Sequence, residues 1–199
     1  MNVFLKKIAV RCEISSFAIH AERPSDVAAR EALLDASFGA GRHARTCQRL
    51  RDGRKPAEGL AFAAVGSGKL IGTVRLLHVN AGGVPALALG PLAVAASHRK
   101  LGVGAALMKR ALELAQVHDH GAVILRGDAP YYARFGFSAF KTGSLLLPGP
   151  FERDRLLAVE LREAALEGAS GLIVPTGARE SRTRRYHARD IGRPMPRAA

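Results

Sequence analysis

The sequence predicts a mixed α/β domain with a mostly antiparallel central sheet flanked by helices, and three observations carry that prediction. Apolar runs separated by glycine turns, "LAFAAV", "LIGTVRLLHVN" and "ALALGPLAV", read as consecutive antiparallel strands. Two longer runs, opening near Ser25 and near Val103, place apolar residues at helical spacing. The 199 residues are 48% apolar and 24% charged, a composition that supports one substantial core.

The elements follow in order. "FAIHAER", Phe17 to Arg23, alternates apolar and polar residues as a half-buried strand does. Ser25 or Asp26 caps a helix whose apolar side is Val27, Ala28, Leu33, Leu34 and Phe38, and Gly39-Ala40-Gly41 ends it. The basic segment from Gly41 to Lys55 predicts a second short helix to about Leu50. A hairpin across "GSGKL" comes next, and the turn "AGGVP" leads into "ALALGPLAV", apolar on both faces as a central strand is.

Gly90-Pro91 interrupts that central strand. Proline cannot donate to a ladder, and glycine inside a strand marks a bulge or a close approach. The strand is therefore expected to split from its neighbour and leave backbone groups for a ligand, or to close as an ordinary bulge on water. Beyond the helix that opens at Val103, "AVIL" reads as a short buried strand. "GDAPYYARFGF" predicts a short helix with Asp128 as N-cap and Pro130 in its first turn. Phe137 to Phe140 and Arg155 to Leu161 are the last expected strands, and no internal repeat occurs.

The formal charge is +13, and its distribution matters more than its sum. Seven arginines stand against Glu180 and Asp190 between Arg179 and Ala199, beside Pro194 and Pro196, so that stretch reads as a flexible tail. A second basic cluster lies between Gly41 and Lys55, so the charge does not gather on one nucleic-acid face and nucleic acid is not the expected partner. No apolar run approaches the ~20 residues of a membrane span, so no membrane partner is expected. The opening segment is too interrupted for a secretory signal; it reads as an inert extension, with an organelle presequence as the alternative. Cys12 and Cys47 belong to no metal pattern and read as reduced thiols of a cytoplasmic protein, and "HDH" at His118 to His120 lacks further ligands nearby. No metal is expected.

The chemistry begins at "HRKLGVG". The first-turn N–H groups of the helix that starts near Val103 have no partner within it, and they point outward with the positive end of the helix dipole. Gly102 and Gly104 keep side chains away from those groups, and Arg99 and Lys100 add positive charge, which together suit a phosphate or pyrophosphate. The dinucleotide fingerprint needs a further glycine where Leu107 stands, and the Gly-Lys-Ser/Thr of a triphosphate loop is missing.

Arg99-x-x-Gly102-x-Gly104 following Leu92-Ala93-Val94 resembles the pyrophosphate loop of the GNAT superfamily of acetyl-CoA-dependent N-acetyltransferases. "YYARFGF", Tyr131 to Phe137, resembles that superfamily's second signature, and the wording is most similar to a bacterial acetyltransferase branch. The resemblance implies a GNAT-like sheet with a V-shaped split at the central strand, and it divides the chain into an extension (1–16), an N-acetyltransferase domain (17–176) and the basic tail (177–199). It implies that the backbone amides of Leu101, Gly102, Val103, Gly104 and Ala105 hold the pyrophosphate of acetyl-CoA, with Arg99 and Lys100 assisting. Leu92, Ala93 and Val94 would pair with the pantetheine arm as an added strand. Ala95, Ala96 and Ser97 depart from the proline-containing turn common in relatives.

For acetyl transfer, the Leu92 N–H is the expected oxyanion donor, since Pro91 has none. The resemblance places the thiolate-protonating tyrosine four residues before Gly136, which makes Tyr132 the expected acid, with Tyr131 as second choice and aromatic packing as the alternative for both. No general base declares itself: Asp128 doubles as a cap and His78 as an ordinary strand histidine. Arg42, His43, Arg45, Arg49 and Arg51 would favour an acidic acceptor if they line its pocket, and otherwise form a solvated face. The expected reaction moves acetyl from acetyl-CoA to a small-molecule primary amine. Acetylation of a protein lysine or N-terminus, and a non-catalytic acyl-CoA-binding or nucleic-acid-binding module, are the alternatives. A homodimer is compatible with the family, though no pattern in the sequence announces one.

Overall fold

Strong alternation and tight turns bring six strands into one path, in the order Phe17–Ala21, Ala61–Gly66, Lys69–Ala81, Val84–Val94, Ala122–Arg126 and Leu156–Glu160. The computed structural model describes residues 17–180. The expected extension and most of the expected tail lie outside the described residues. The strands are β1 (Phe17–Ala21), β2 (Ala61–Gly66), β3 (Lys69–Ala81), β4 (Val84–Val94), β5 (Ala122–Arg126), β6 (Leu145–Leu146), β7 (Leu156–Glu160) and β8 (Gly171–Pro175). Helices α1 (Val27–Phe38), α2 (Val103–Val117) and α3 (Ala129–Ala133) connect them. Along the main path only β4 and β5 run parallel; β8 pairs β3 at Val79 to Ala81 and carries the two-residue β6 in parallel.

The sheet lies between two helices. Val103, Leu107, Met108, Ala111 and Ala115 of α2 are buried against Phe62, Ile71, Val74 and Leu87 on one face. On the other, Leu33 and Leu34 of α1 pack on Ala93. Leu92 and Val94 touch the α2 side while Ala93 touches the α1 side, the alternation a strand requires. Glu22 ties α1 down: its carboxylate pairs with Arg30 of α1 and accepts from Nε of Arg75 on β3 at 2.8 Å.

Several expectations need correction. The basic segment is not one helix but two 3-10 turns, Ala40–Ala44 and Thr46–Leu50, because Arg45 between them is extended (φ −69°, ψ 144°). Phe137 to Phe140 forms no strand; Ser138 makes a single bridge to Ala158 and the chain then turns through Phe140–Thr142. β8 went unpredicted, although Gly171–Pro175 is an apolar run. At the first helix, Asp26 does not cap α1 with its side chain; it reaches back to accept the Arg23 N–H at 2.8 Å. Hydrogen bonding continues past residue 176, from Lys55 N–H to the Ala178 carbonyl at 2.8 Å and from Glu180 N–H to that of Gly53 at 2.9 Å.

Candidate active site

The central strand does split. β4 pairs with β5 only at Leu87↔Val123 and Ala88↔Ile124, after which the two strands part. On the other side, β4 keeps pairing with β3, but Val74 faces Leu92 and Leu76 faces Leu89, so Gly90 and Pro91 together oppose Arg75. That is a bulge, and it re-aims everything beyond it.

The direction of the amides beyond the bulge follows from the ladder. Ala95 N–H donates to the Ile71 carbonyl at 2.8 Å. With Ala93 opposite Thr73 and Leu92 opposite Val74, alternation turns the N–H and C=O of Leu92 and Val94 away from β3, toward the side where β5 has left. Arg99 confirms the direction, because its Nε reaches the Val94 carbonyl at 3.4 Å.

The chain then passes a 3-10 turn at Ala96–His98 and enters α2 through two residues of positive φ, Lys100 (+65°) and Gly102 (+83°). No side chain caps α2. Among the described residues, the N–H groups from Leu101 to Ala105 have no hydrogen-bond partner. A Cβ at Gly102 would meet nothing within 4 Å, so it is the positive φ and not space that favours glycine there. A Cβ at Gly104 would stand 3.2 Å from the Tyr131 hydroxyl, so any side chain there would crowd that hydroxyl.

Two cavities flank this edge. One, of about 510 Å³, runs along Leu92, Ala93 and Val94 to Arg99, Lys100 and the Gly102 to Ala105 end of α2, with Tyr131 and Arg134 opposite. The other, of about 470 Å³, opens at Leu89 to Leu92 and is lined by Arg42, Arg45, Arg51 and Arg126, among others. Phe38, Leu92 and Tyr132 line both. No carboxylate and no histidine lines the second cavity.

The adjacent tyrosines serve different places. Tyr131 directs its hydroxyl to the start of α2, with the Arg134 guanidinium 4.1 Å from its ring centre. Tyr132 sits at the junction, its ring edge-on to Tyr131 (4.9 Å) and Phe137 (6.0 Å) and pressed on Gly127. Burial, with Tyr131 and the Asp128 carboxylate adding to it, pushes the Tyr132 phenol up to about 12. Asp128 precedes α3, but only its backbone carbonyl accepts from the helix; its side chain makes no cap hydrogen bond and lies outside both linings. His78 is remote as well, its ring 5.4 Å from that of His120 beyond the end of α2.

The basic segment divides by function. Arg42 is buried in bonds to Asp35 (2.6 Å) and Glu31 (2.5 Å). Arg49 donates to the Pro148 carbonyl at 2.6 Å, and Thr46 to that of Pro150 at 2.6 Å, which latches this segment to a later loop of the same cavity. Arg51 projects into the cavity, and Arg126, which sequence reasoning missed, joins it from the end of β5. The available signal was an arginine closing a buried parallel strand beside a split, where ligands of α/β sheets collect. Among the described residues no group of three His, Cys, Asp or Glu side chains is set to hold a metal, and no helix is long and apolar enough to cross a membrane.

Comparison with known proteins agrees with this geometry. Residues 27–137 match the acetyltransferase (GNAT) family. The chain is 29% identical over 157 residues to the uncharacterized N-acetyltransferase YhbS of Escherichia coli (strain K12), covering 78% of this chain and 93% of that one. The crystal structure of E. coli YhbS in complex with CoA superposes with a TM-score of 0.69, over 80% of this chain and 89% of that one. A GNAT family acetyltransferase from Brucella melitensis in complex with acetyl-CoA is 25% identical, with a TM-score of 0.55 over 73% and 96% of the two chains.

Proposed function

The chain belongs to the acetyltransferase (GNAT) family, and from that premise we propose that it transfers the acetyl group of acetyl-CoA to a primary amine of a small molecule by direct attack on the thioester. The observation that carries this reading is the meeting of two cavities at Leu92 and Tyr132. One cavity ends in unpartnered helix amides suited to a pyrophosphate, as relatives' complexes with CoA and acetyl-CoA support. The amides of Leu101 to Ala105 hold the pyrophosphate, with Arg99 and Lys100 beside it. Leu92 and Val94 supply the pairing groups for the pantetheine arm, and Ala93 lines the cavity between them.

The amine nitrogen attacks the thioester carbonyl carbon, and the displaced pair collects on oxygen, where the Leu92 N–H donates to it. Collapse reforms C=O and breaks the C–S bond. The thiolate takes its proton from Tyr132. A phenol pushed up to about 12 stays protonated at neutral pH, but giving its proton to a thiol of ordinary pKa, about 8.5, is uphill by roughly 5 kcal/mol. The transfer proceeds only if the phenolate is refilled at once, and the ammonium formed on attack carries the proton that refills it.

No carboxylate or histidine lines the acceptor cavity to deprotonate an incoming ammonium. The amine therefore enters neutral, and the surrounding guanidiniums favour that state by disfavouring the ammonium form. A cavity of about 470 Å³, walled by segments latched through Thr46 and Arg49, suits a small molecule better than a polypeptide.

Thiol release from acetyl-CoA with a panel of amines tests the proposal. Release that depends on the amine is expected. Binding of acetyl-CoA without release for any amine would make the chain a non-catalytic acyl-CoA-binding module.

A further inference from the structure

The acceptor cavity has a charge imbalance that the acetyl-transfer chemistry leaves unexplained. Its lining holds four arginines and no acid. Two are accounted for: Arg42 is neutralised by Glu31 and Asp35, and Arg45 is exposed over the Phe38 ring at 5.3 Å. Arg51 is different. Among the described residues it forms no ion pair; its guanidinium donates to Gln48 Oε1 at 2.9 Å and lies against Gly90, whose Cβ position would be 3.1 Å from its Nη1. Burial pushes this guanidinium down from its ordinary value, the mark of a cation short of counter-charge. Arg126 pairs with Glu152 through Nη2, yet its Nε is buried with no hydrogen-bond partner. Both arginines are the cationic neighbours of the Cys47 thiol, and both stand with Gly90 at the inner end of the cavity.

One half-buried cation without counter-charge and one spare buried donor call for a ligand with a single negative charge and at least two acceptor oxygens. We propose that the acceptor is an amino carboxylate, its carboxylate held by Arg51 and Arg126 beside Gly90 and its amine presented at the Leu92–Tyr132 junction. A doubly charged phosphate would leave negative charge uncompensated in the same place, so a carboxylate is the better match. The inference rests on the acetyl-transfer reading and names the substrate class for it.

The test is initial-rate thiol release at saturating acetyl-CoA for matched sets: an amino acid, its amide, its methyl ester, the decarboxylated amine and the corresponding aminophosphonate, with rates referred to the neutral amine. The carboxylate is expected to exceed its uncharged partners in kcat/KM by about ten- to a hundredfold, the range of a charge-assisted hydrogen bond. Equal or faster reaction of the uncharged partners overturns the inference and leaves acetyl transfer standing. Preference for the aminophosphonate overturns the choice of carboxylate. Silence across every amine overturns acetyl transfer and the inference with it. In Arg51→Met the ratio of carboxylate to uncharged rates should fall about tenfold, with Arg51→Lys in between. A merely structural role would slow all amines alike, so an unchanged ratio in the folded variant contradicts the proposal. If Arg51→Met does not fold, the wild-type series decides.

Discussion

Tyr131 and Tyr132 are neighbours in sequence, yet Tyr131 lines the cavity at the start of α2 alone while Tyr132 stands where the two cavities meet. The "YYARFGF" pattern brought both forward, but which of them meets the junction depends on how each ring packs, against Gly104 for one and Gly127 for the other. Tyr132→Phe is expected to lower kcat by about a hundredfold, the low end for loss of a general acid, and to leave KM for acetyl-CoA within about twofold. Unchanged kcat removes the residue from the acid role. The same phenol makes a stability prediction. Its folded value is raised from 10.0 to about 12, so burial carries no ionisation penalty below pH 10, and stability is lost as pH climbs from 10 through 12. The loss is worth roughly 2 kcal/mol. Denaturant titrations of wild type and Tyr132→Phe should diverge by that amount across this window; parallel curves contradict the assigned environment. Leu92 was legible for a simpler reason: proline at 91 excluded itself, and ladder alternation leaves the next N–H facing the split.

At the scale of elements, α1 and the basic segment carry what the sequence hid. Periodicity predicted α1, but nothing local revealed that Glu22, just after β1, would pair with Arg30 and Arg75 and hold the helix over the sheet. That network joins residues far apart in the chain, so it exists only once the sheet has formed. Glu22→Gln leaves the largely buried Arg75 without a carboxylate and Arg30 with Glu31 alone, and is expected to cost about 3 kcal/mol, read as a lowered denaturation midpoint. A loss under about 1 kcal/mol would mean the pair contributes little. The segment from Gly41 to Lys55 had helical composition, yet its turns follow its latches to Pro148 and Pro150 rather than its own propensity. Tertiary bonds of that kind are invisible to a local reading. The strand expected at Phe137 to Phe140 failed likewise, because its one bridge, to Ala158, did not propagate.

Across the whole molecule, the sheet, its two covering helices and the split were legible because alternation, helical spacing and the Gly90-Pro91 interruption are all local signals. The division of the arginines between neutralised and uncompensated was not, since it depends on which carboxylates come near. The chain's net charge of +13 adds a field that acts on the acceptor amine. With no carboxylate or histidine lining the cavity, kcat/KM should rise with pH along one ionisation belonging to the amine itself. Its midpoint should fall below the amine's solution value and move back toward it as salt screens the field. A midpoint that stays fixed when the amine is changed would reveal an enzymic base instead. The most direct test of the central claim is calorimetric titration of acetyl-CoA into wild type and Gly104→Glu, with folding of the variant verified by circular dichroism. Saturable binding to wild type and none to the folded variant is expected, because the new side chain sets bulk and negative charge against the helix amides. Equal affinity for both proteins would contradict the assignment of those amides to the pyrophosphate.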